Sequence, residues 1–399
     1  MVASTSLGPA YQRLWLATAL SNLGDGIRMA ALPLLAAAMT SDPVAVAGVA
    51  IAGQSPWLIF GLFAGAVVDR FDRRRLTVLV DVVRVLLLVV LVAALSFGIA
   101  GIVLVYAVAF ACGVGETLRD TATATLLPPL VGDADLDRAN GGLVNAEVAG
   151  NELVGPPIGG YLFGVAMVLP FAVNGGTLAV AAALIFSLPN VFAPKTGPVA
   201  RKGRIWSDTL AGLRWLARHR RLRVLVILGG VFALMDSAWF AILVLYVPQV
   251  LGLPAWGYGA LLGVGAVLGL AGGYFAARIT RSIGSAAALT SCLACAAAGQ
   301  LMLGLTTSAF VAALGLAITS GAFGVWAVVA RTLRQRLTPS ELLGRVSSAS
   351  MTTVMGAAPL GALAGGLLAA EWGLTAPILA GVPVLAIGAL VCHLRLRAD

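Results

Sequence analysis

Long apolar runs alternate with short polar links along the whole chain. Twelve such runs lie near 12–39, 45–68, 76–97, 101–126, 141–164, 167–190, 222–249, 256–278, 284–305, 308–331, 345–369 and 375–394. Each reaches or exceeds the roughly 20 residues that a helix needs to cross a hydrocarbon core. Within a bilayer every backbone N–H and C=O must bond inside the chain, so the runs are read as helices. The longer ones imply tilt or extension past the bilayer. Pro33, Pro56 and Pro156 fall inside runs and predict kinks rather than ends. The expected fold is an all-α membrane protein with twelve transmembrane helices.

The polar links give an orientation. Arg70 to Arg75, Arg119, Arg138, the stretch from Lys195 to Arg223, Arg278, Arg281, Arg331, Arg334, Arg336, Arg345, Arg395 and Arg397 all fall on one side. The opposite links, near 40–44, 98–100, 165–166, 250–255, 306–307 and 370–374, contain no Lys or Arg. Basic loops stay in the cytoplasm, so both termini are expected there. The longest polar stretch opens with "APKTGPVARKGR", a basic linker, and continues as "IWSDTLAGLRWLARHRR". Ile205, Trp206, Leu210, Leu213 and Ala217 share one helical face. That pattern fits an interfacial amphipathic helix or an ordinary surface helix packed on other loops. The expected domains are a bundle over 1–190, a linker over 191–221 and a second bundle over 222–399.

Composition agrees with a membrane protein. Of 399 residues, 60% are hydrophobic and 11% charged, whereas soluble domains carry about 25% charge. The net charge of +9 is accounted for by loop arginines, so no nucleic-acid partner is expected. The arginine bias, with abundant Ala, Val and Gly, points to a bacterial source, and hence to the bacterial inner membrane. Cys112, Cys292, Cys295 and Cys392 lie in or at the ends of apolar runs, and the Cys292-x-x-Cys295 pair reads as helix packing rather than a redox or metal site. No cleavable signal peptide is expected. His219 and His393 are the only histidines, and no phosphate-binding loop or hydrolase motif appears. An enzyme and an ATP-driven pump are therefore disfavoured, and neither cofactor nor metal is expected.

Ionisable groups inside the runs are the candidate chemistry, because each costs about 2.5–3.5 kcal/mol at bilayer depth on insertion scales. Asp25 lies mid-run with Arg28 one turn later; Asp236 lies in the middle of the seventh run; Glu152 is mid-span in the fifth; Glu116 lies in the fourth. Asp25 is either a proton carrier or the salt-bridge partner of Arg28. Glu152 is either a carrier or a packing acid bonded to Asn151 or Asn145. Asp236 has no basic residue within two turns. Asp81 and Arg84, in the first turns of the third run, are expected to pair at i,i+3 near the interface.

Two further patterns lead to a family. The halves echo each other at an offset of about 207 residues: Gly65-x-x-x-Asp69-Arg70 against Gly273-x-x-x-Ala277-Arg278, Arg138 against Arg345, Gly159-Gly160 against Gly365-Gly366. Two six-helix halves joined by a basic loop are the parallel repeat of a rocker-type secondary transporter, with substrate near the midplane. The loop "GAVVDRFDRRR", Gly65 to Arg75, resembles the signature loop of the major facilitator superfamily; Gly65, Asp69, Arg70, Arg73 and Arg74 match, and Asp72 replaces the usual Gly. "SNLGDGI", "DVVR" and "LPPLVGDADLDRAN" are similar to the branch of bacterial drug and siderophore exporters, to which enterobactin exporters and actinobacterial multidrug pumps belong.

The resemblance implies two pseudo-symmetric six-helix bundles and a gating role for the loop, with Asp69 near the N-terminus of span eleven and Arg73 paired with Asp120 or Glu116. It places Asp25, Arg28, Glu116 and Asp236 on cavity-lining spans, with Trp57, Phe232, Trp239, Phe240 and Trp326 as aromatic substrate contacts. "GGLVNAEVAGNELVGPPIGG" is similar to the antiporter motif of span five: Gly142, Gly155, Pro156, Gly159 and Gly160 match, and Asn151 replaces the middle Gly. The span-four arginine of the family is missing, with Ala109 in its place, so Arg28 is a candidate substitute. The implied function is monomeric, proton-coupled export of small amphipathic organic molecules. Export of an endogenous siderophore or metabolite, or uncoupled carriage, is the alternative.

Overall fold

The computed structural model describes residues 7–68, 70–132, 135–189, 215, 218–339 and 342–396. Their helices are α1 (Pro9–Met39), α2 (Pro43–Val68), α3 (Arg73–Ser96), α4 (Ile102–Leu126), α5 (Leu136–Val148), α6 (Gly155–Val165), α7 (Leu169–Phe186), α8 (Arg220–Phe240), α9 (Leu243–Gln249), α10 (Ala255–Ile283), α11 (Ser285–Leu305), α12 (Ala309–Leu337), α13 (Leu343–Trp372) and α14 (Ala376–Leu396). A π-helical turn, Ala149–Val154, joins α5 to α6. These fifteen elements form twelve rods, because α5, the π turn and α6 make the fifth and α8 with α9 makes the seventh.

Ten helices among the described residues are long and apolar enough to cross a membrane. The other two rods are α1, whose polar residues include Asn22, Asp25 and Arg28, and the interrupted fifth rod. Several helices outrun the apolar stretches that predict them: α1 begins at Pro9, α10 reaches Ile283 and α12 reaches Leu337. Arginines at these ends carry apolar stems that continue a helix beyond the hydrocarbon.

Two expectations about continuity need correction. The seventh run, expected whole over 222–249, breaks at Ala241 and Ile242. Pro248 deprives α9 of a backbone donor, and the Tyr246 hydroxyl anchors α9 by donating to the Leu303 carbonyl at the end of α11. The fifth run is not a plain bent helix. Pro156 cannot donate to the carbonyl four residues back, and the backbone answers by widening into a π turn in which the Gly155 N–H reaches the Gly150 carbonyl.

The chain divides into two compact units, Met1–Met39 with Ala52–Val199, and Thr40–Ile51 with Ala200–Asp399. In the first, α1 packs against α7, α6, the π turn, α5 and α4, and α3 packs against α7 and α4. In the second, α8 packs on α13 and α14, α10 on α12, and α11 on α12 and α14. Phe232 and Trp326 sit in the apolar core of this second unit with Leu225, Leu289 and Leu385. Cys292 and Cys392 are buried there, while Cys295 is exposed. Trp215 packs against the same core and stacks on His219 at 5.2 Å; the rest of the expected amphipathic helix over 205–217 lies outside the described residues.

The α1 seam is built on glycine. A Cβ on Gly150 would meet the Leu23 backbone nitrogen at 2.7 Å, one on Gly155 would meet the Gly26 Cα at 2.7 Å, and one on Gly159 would collide with the Ile27 carbonyl. These obstacles are backbone atoms, which cannot swing aside. Gly159→Val is expected to cost about 2 kcal/mol or more by overpacking and to lower the melting temperature of the purified protein. Gly164→Val, on the same helix with open space around the glycine, is expected to melt with the wild type.

Candidate functional site

In the first unit six ionisable side chains from α1, α3 and α4 form one alternating line: Glu116, Arg28, Asp25, Arg84, Asp81, Arg119. Arg28 Nη2 donates to Glu116 Oε2 at 2.7 Å and to Asp25 Oδ1 at 3.3 Å. Arg84 Nη2 donates to the same Asp25 Oδ1. Arg84 Nη1 lies 4.0 Å from Asp81 Oδ1. Arg119 Nε donates to both Asp81 oxygens at 2.8 and 3.1 Å, and its Nη2 reaches the Ala17 carbonyl at 3.2 Å. Three acids balance three bases, so the buried line carries no net charge. Removing one member strands its partner in a poorly solvated interior.

Local sequence explains the arrangement. Asp25 and Arg28 are one turn apart on α1, as are Asp81 and Arg84 on α3 and Glu116 and Arg119 on α4. Each helix thus presents one acid and one base on a single stripe. Room for the Arg84 stem comes from Gly115, where a Cβ would lie 2.6 Å from Arg84 Cδ and 2.9 Å from its Cγ. Gly113 plays the same part toward α2, where a Cβ would meet the Gly53 carbonyl at 2.7 Å.

Three readings from the sequence change here. Arg119, counted among the loop arginines, is buried inside α4. Asp81 and Arg84 are not an interfacial pair: both are buried, their separation is stretched to 4.0 Å, and each has a better partner on another helix. The third concerns the span-four arginine missing from the family pattern: besides Arg28, which bonds Glu116, the Arg84 stem also lies against α4, at Gly115.

The remaining candidates spread more widely. Glu152 is exposed on the π turn, and Asn151 donates to Asn22 Oδ1 at 2.9 Å, so Asn151 ties the turn to α1. Asp236 lies one turn before Trp239, which is its side-chain neighbour, yet the indole N–H makes no hydrogen bond at contact distance. Phe232 is fully buried and meets Phe323 and Trp326 edge to face at 5.4 and 5.6 Å, so both rings serve the core. Trp239 is buried against Phe240 at 5.9 Å; Phe240 and Trp57 are half-buried.

In the loop from Gly65, Asp69 lies outside the described residues. Asp72 caps α3, accepting from the Arg75 N–H at 2.8 Å. That explains an acid where the family pattern has glycine. Arg74 donates to the Leu188 and Phe186 carbonyls at 2.6 and 3.3 Å and lies over the Phe186 ring. Arg13 donates to the Ser187 carbonyl at 3.0 Å. Two cations thus close the C-terminal end of α7, where the helix dipole is negative. Arg73 donates to the Thr125 carbonyl at 3.4 Å, Arg70 is exposed, and Asp120 is half-buried on α4. In the span-five motif Gly155, Pro156, Gly159 and Gly160 are buried, and a Cβ on Gly142 would strike the Tyr11 hydroxyl. The middle glycine has moved rather than vanished: Gly150 occupies the seam, brought into register by the π turn.

Twelve rods, ten of whose helices are long and apolar enough to cross a membrane, with ion pairs buried among three of them, have the architecture of a multi-pass membrane transporter of the major facilitator type. The sequence profile of the transmembrane secretion effector family matches residues 6–398, and the chain belongs to that family. It is 30% identical to the multidrug efflux pump Tap of Mycolicibacterium fortuitum, over 99% of this chain and 98% of Tap. It is 29% identical to Tap of Mycobacterium tuberculosis H37Rv, over 98% and 94%. The fold is similar to a bacterial homologue of the iron transporter ferroportin in an inward-facing state, with a TM-score of 0.77 at 18% identity over 98% of this chain and 100% of that one. The nucleoside transporter NupG gives 0.76 at 9% identity, over 96% and 98%. The chain is therefore a membrane transporter of this superfamily and not an enzyme.

Asp81→Leu alone leaves the Arg119 guanidinium buried without its acid and is expected to cost about 3–5 kcal/mol. Joined to Arg119→Met, the same change should recover most of that loss. Thermal melting in detergent checks both variants.

Proposed function

We propose that the chain exports small amphipathic organic molecules across the bacterial inner membrane in exchange for protons, by alternating access, as a monomer with both termini in the cytoplasm. The observation that carries this reading is the line of six charges ending at Glu116. Acids and bases at bilayer depth are kept where ions or protons move, and a neutral line with one accessible end can take up a proton without stranding a deep charge. Asp25, Asp236, Glu116 and Glu152 are the acids within the spans that could carry it. The small seam residues of the fifth rod support exchange, since close glycine contacts let a helix slide without side chains interlocking. The relatives named multidrug efflux pumps support drug-like substrates. The bundles over 1–190 and 222–399, with the linker over 191–221, are the bodies that would move, and the loop from Gly65 to Arg75, Asp69 included, is the gate that would hold the inner side shut.

Inverted membrane vesicles containing the protein should accumulate the amphipathic cation ethidium when the lumen is made acidic. Collapse of the pH gradient by a proton–potassium exchanger should abolish accumulation and leave ethidium-for-ethidium exchange intact. Accumulation that survives collapse of the gradient would contradict proton coupling.

A further inference from the structure

The members of the charge line differ in how tightly they are held. Asp25 Oδ1 accepts from both Arg28 and Arg84, and Oδ2 faces the Ser21 hydroxyl at 3.5 Å. Asp81 is gripped by Arg119 through both oxygens. Glu116 has one cation on one oxygen. Its side chain is 24% exposed, against 7% for Arg28, 5% for Asp25, 1% for Arg84 and Arg119 and 0% for Asp81. Glu116 is therefore the most accessible member of the line.

Arg28 is built to respond. One nitrogen, Nη2, serves both acids, at 2.7 Å from Glu116 and 3.3 Å from Asp25. Its Nε is buried without an acceptor, so no other bond fixes the guanidinium. Neutralising Glu116 removes the stronger attraction and leaves Asp25 to draw Arg28 inward along α1. The charged groups facing Glu116 are Asp25 and Arg28 on α1, Arg84 on α3, and Asp120, one turn further along α4. Asp120 in turn faces Arg119 on α4 and Glu147 on α5.

We propose that Glu116 is the acid that exchanges the proton, that Arg28 is a movable link passing between Glu116 and Asp25, and that Arg84 is a positioning residue that holds the Asp25 carboxylate in place. The proposal rests on the proton-exchange reading and sharpens it: Asp25, the more buried acid, is held in place by two arginines. The proton adds to a Glu116 carboxylate oxygen, the Arg28 bond to that oxygen breaks, and the Arg28 bond to Asp25 shortens; release reverses each step. The net charge of the line changes by one, at its only accessible carboxylate. Arg84 matters because it is the partner of Asp25 that does not move. Without it, Asp25 would depend on Arg28 alone and would compete with Glu116 for the proton.

Infrared difference spectra of the full protein in lipid vesicles, taken through a pH titration, test this directly. Among the bands of the chain's other carboxylic acids, the wild type should show one C=O band that appears on acidification and belongs to Glu116. Glu116→Gln should lose that band. Asp25→Asn should keep it. Arg84→Met should gain a second titrating band, from the freed Asp25, an effect that mere loosening of the bundle would not produce. Glu116→Gln is also expected to lose gradient-driven ethidium accumulation. Loss of no band in Glu116→Gln together with loss of one in Asp25→Asn would overturn the proposal, as would an unchanged set of bands in Arg84→Met. If the wild type accumulates no ethidium, the export reading fails, and the infrared bands still decide where the proton binds.

Discussion

The first unit depends on one constraint: six charged groups must be buried at bilayer depth, and each must have a partner. The solution is a neutral line in which acid and base alternate from α4 through α1 and α3 and back to α4. No helix satisfies its own charges. The i,i+3 pairs within α1 and α3 are long, at 3.3 and 4.0 Å, and the shorter bonds run between helices. The line therefore fixes how α1, α3 and α4 sit around one another. It also explains the glycine at 115, since the Arg84 stem needs the space a Cβ would fill.

The other contacts of α1 follow from the same demand for close approach. Asn22 bonds Asn151 on the π turn, and the Gly24 carbonyl accepts from Asn174 on α7 at 2.6 Å. Gly26 and Ile27 meet Gly155 and Gly159 backbone to backbone. In a lipid solvent helices gain little by hiding apolar surface from one another, so such polar bonds and tight backbone contacts carry the association. One helix thus carries the charges, the amide bonds and the glycine seam together.

Much of the fold was legible in the sequence because the bilayer allows few alternatives. Run length and backbone satisfaction dictate twelve rods, and the boundaries erred mainly where polar ends extended the helices. The site was legible residue by residue but not in its pairings. Asp25, Arg28 and Glu116 stood out because they interrupt apolar runs. Arg119 was hidden by its place near a run's end, where it looked like one more loop arginine. Arg84 was assigned to its neighbour on the same helix, because sequence spacing shows i,i+3 partners and not those on another helix. Asp72 was readable as a helix N-cap, being an acid immediately before a helix start. The π turn left one trace: the motif's middle glycine stands at 150 rather than 151, the one-residue shift that a π turn absorbs.

The central claim is that Asp25 and Arg84 are a directly coupled, buried pair that fixes α1 against α3. A double-mutant cycle of thermal unfolding in detergent, with Asp25→Asn, Arg84→Gln and the double variant, measures that coupling with no reference to transport. The account predicts that each single change is strongly destabilising and that the double variant is more stable than the sum of the two implies, with a coupling of about 2 kcal/mol or more. Additive losses would show that the two residues stabilise the protein independently, and would contradict a continuous line of charge through the first unit.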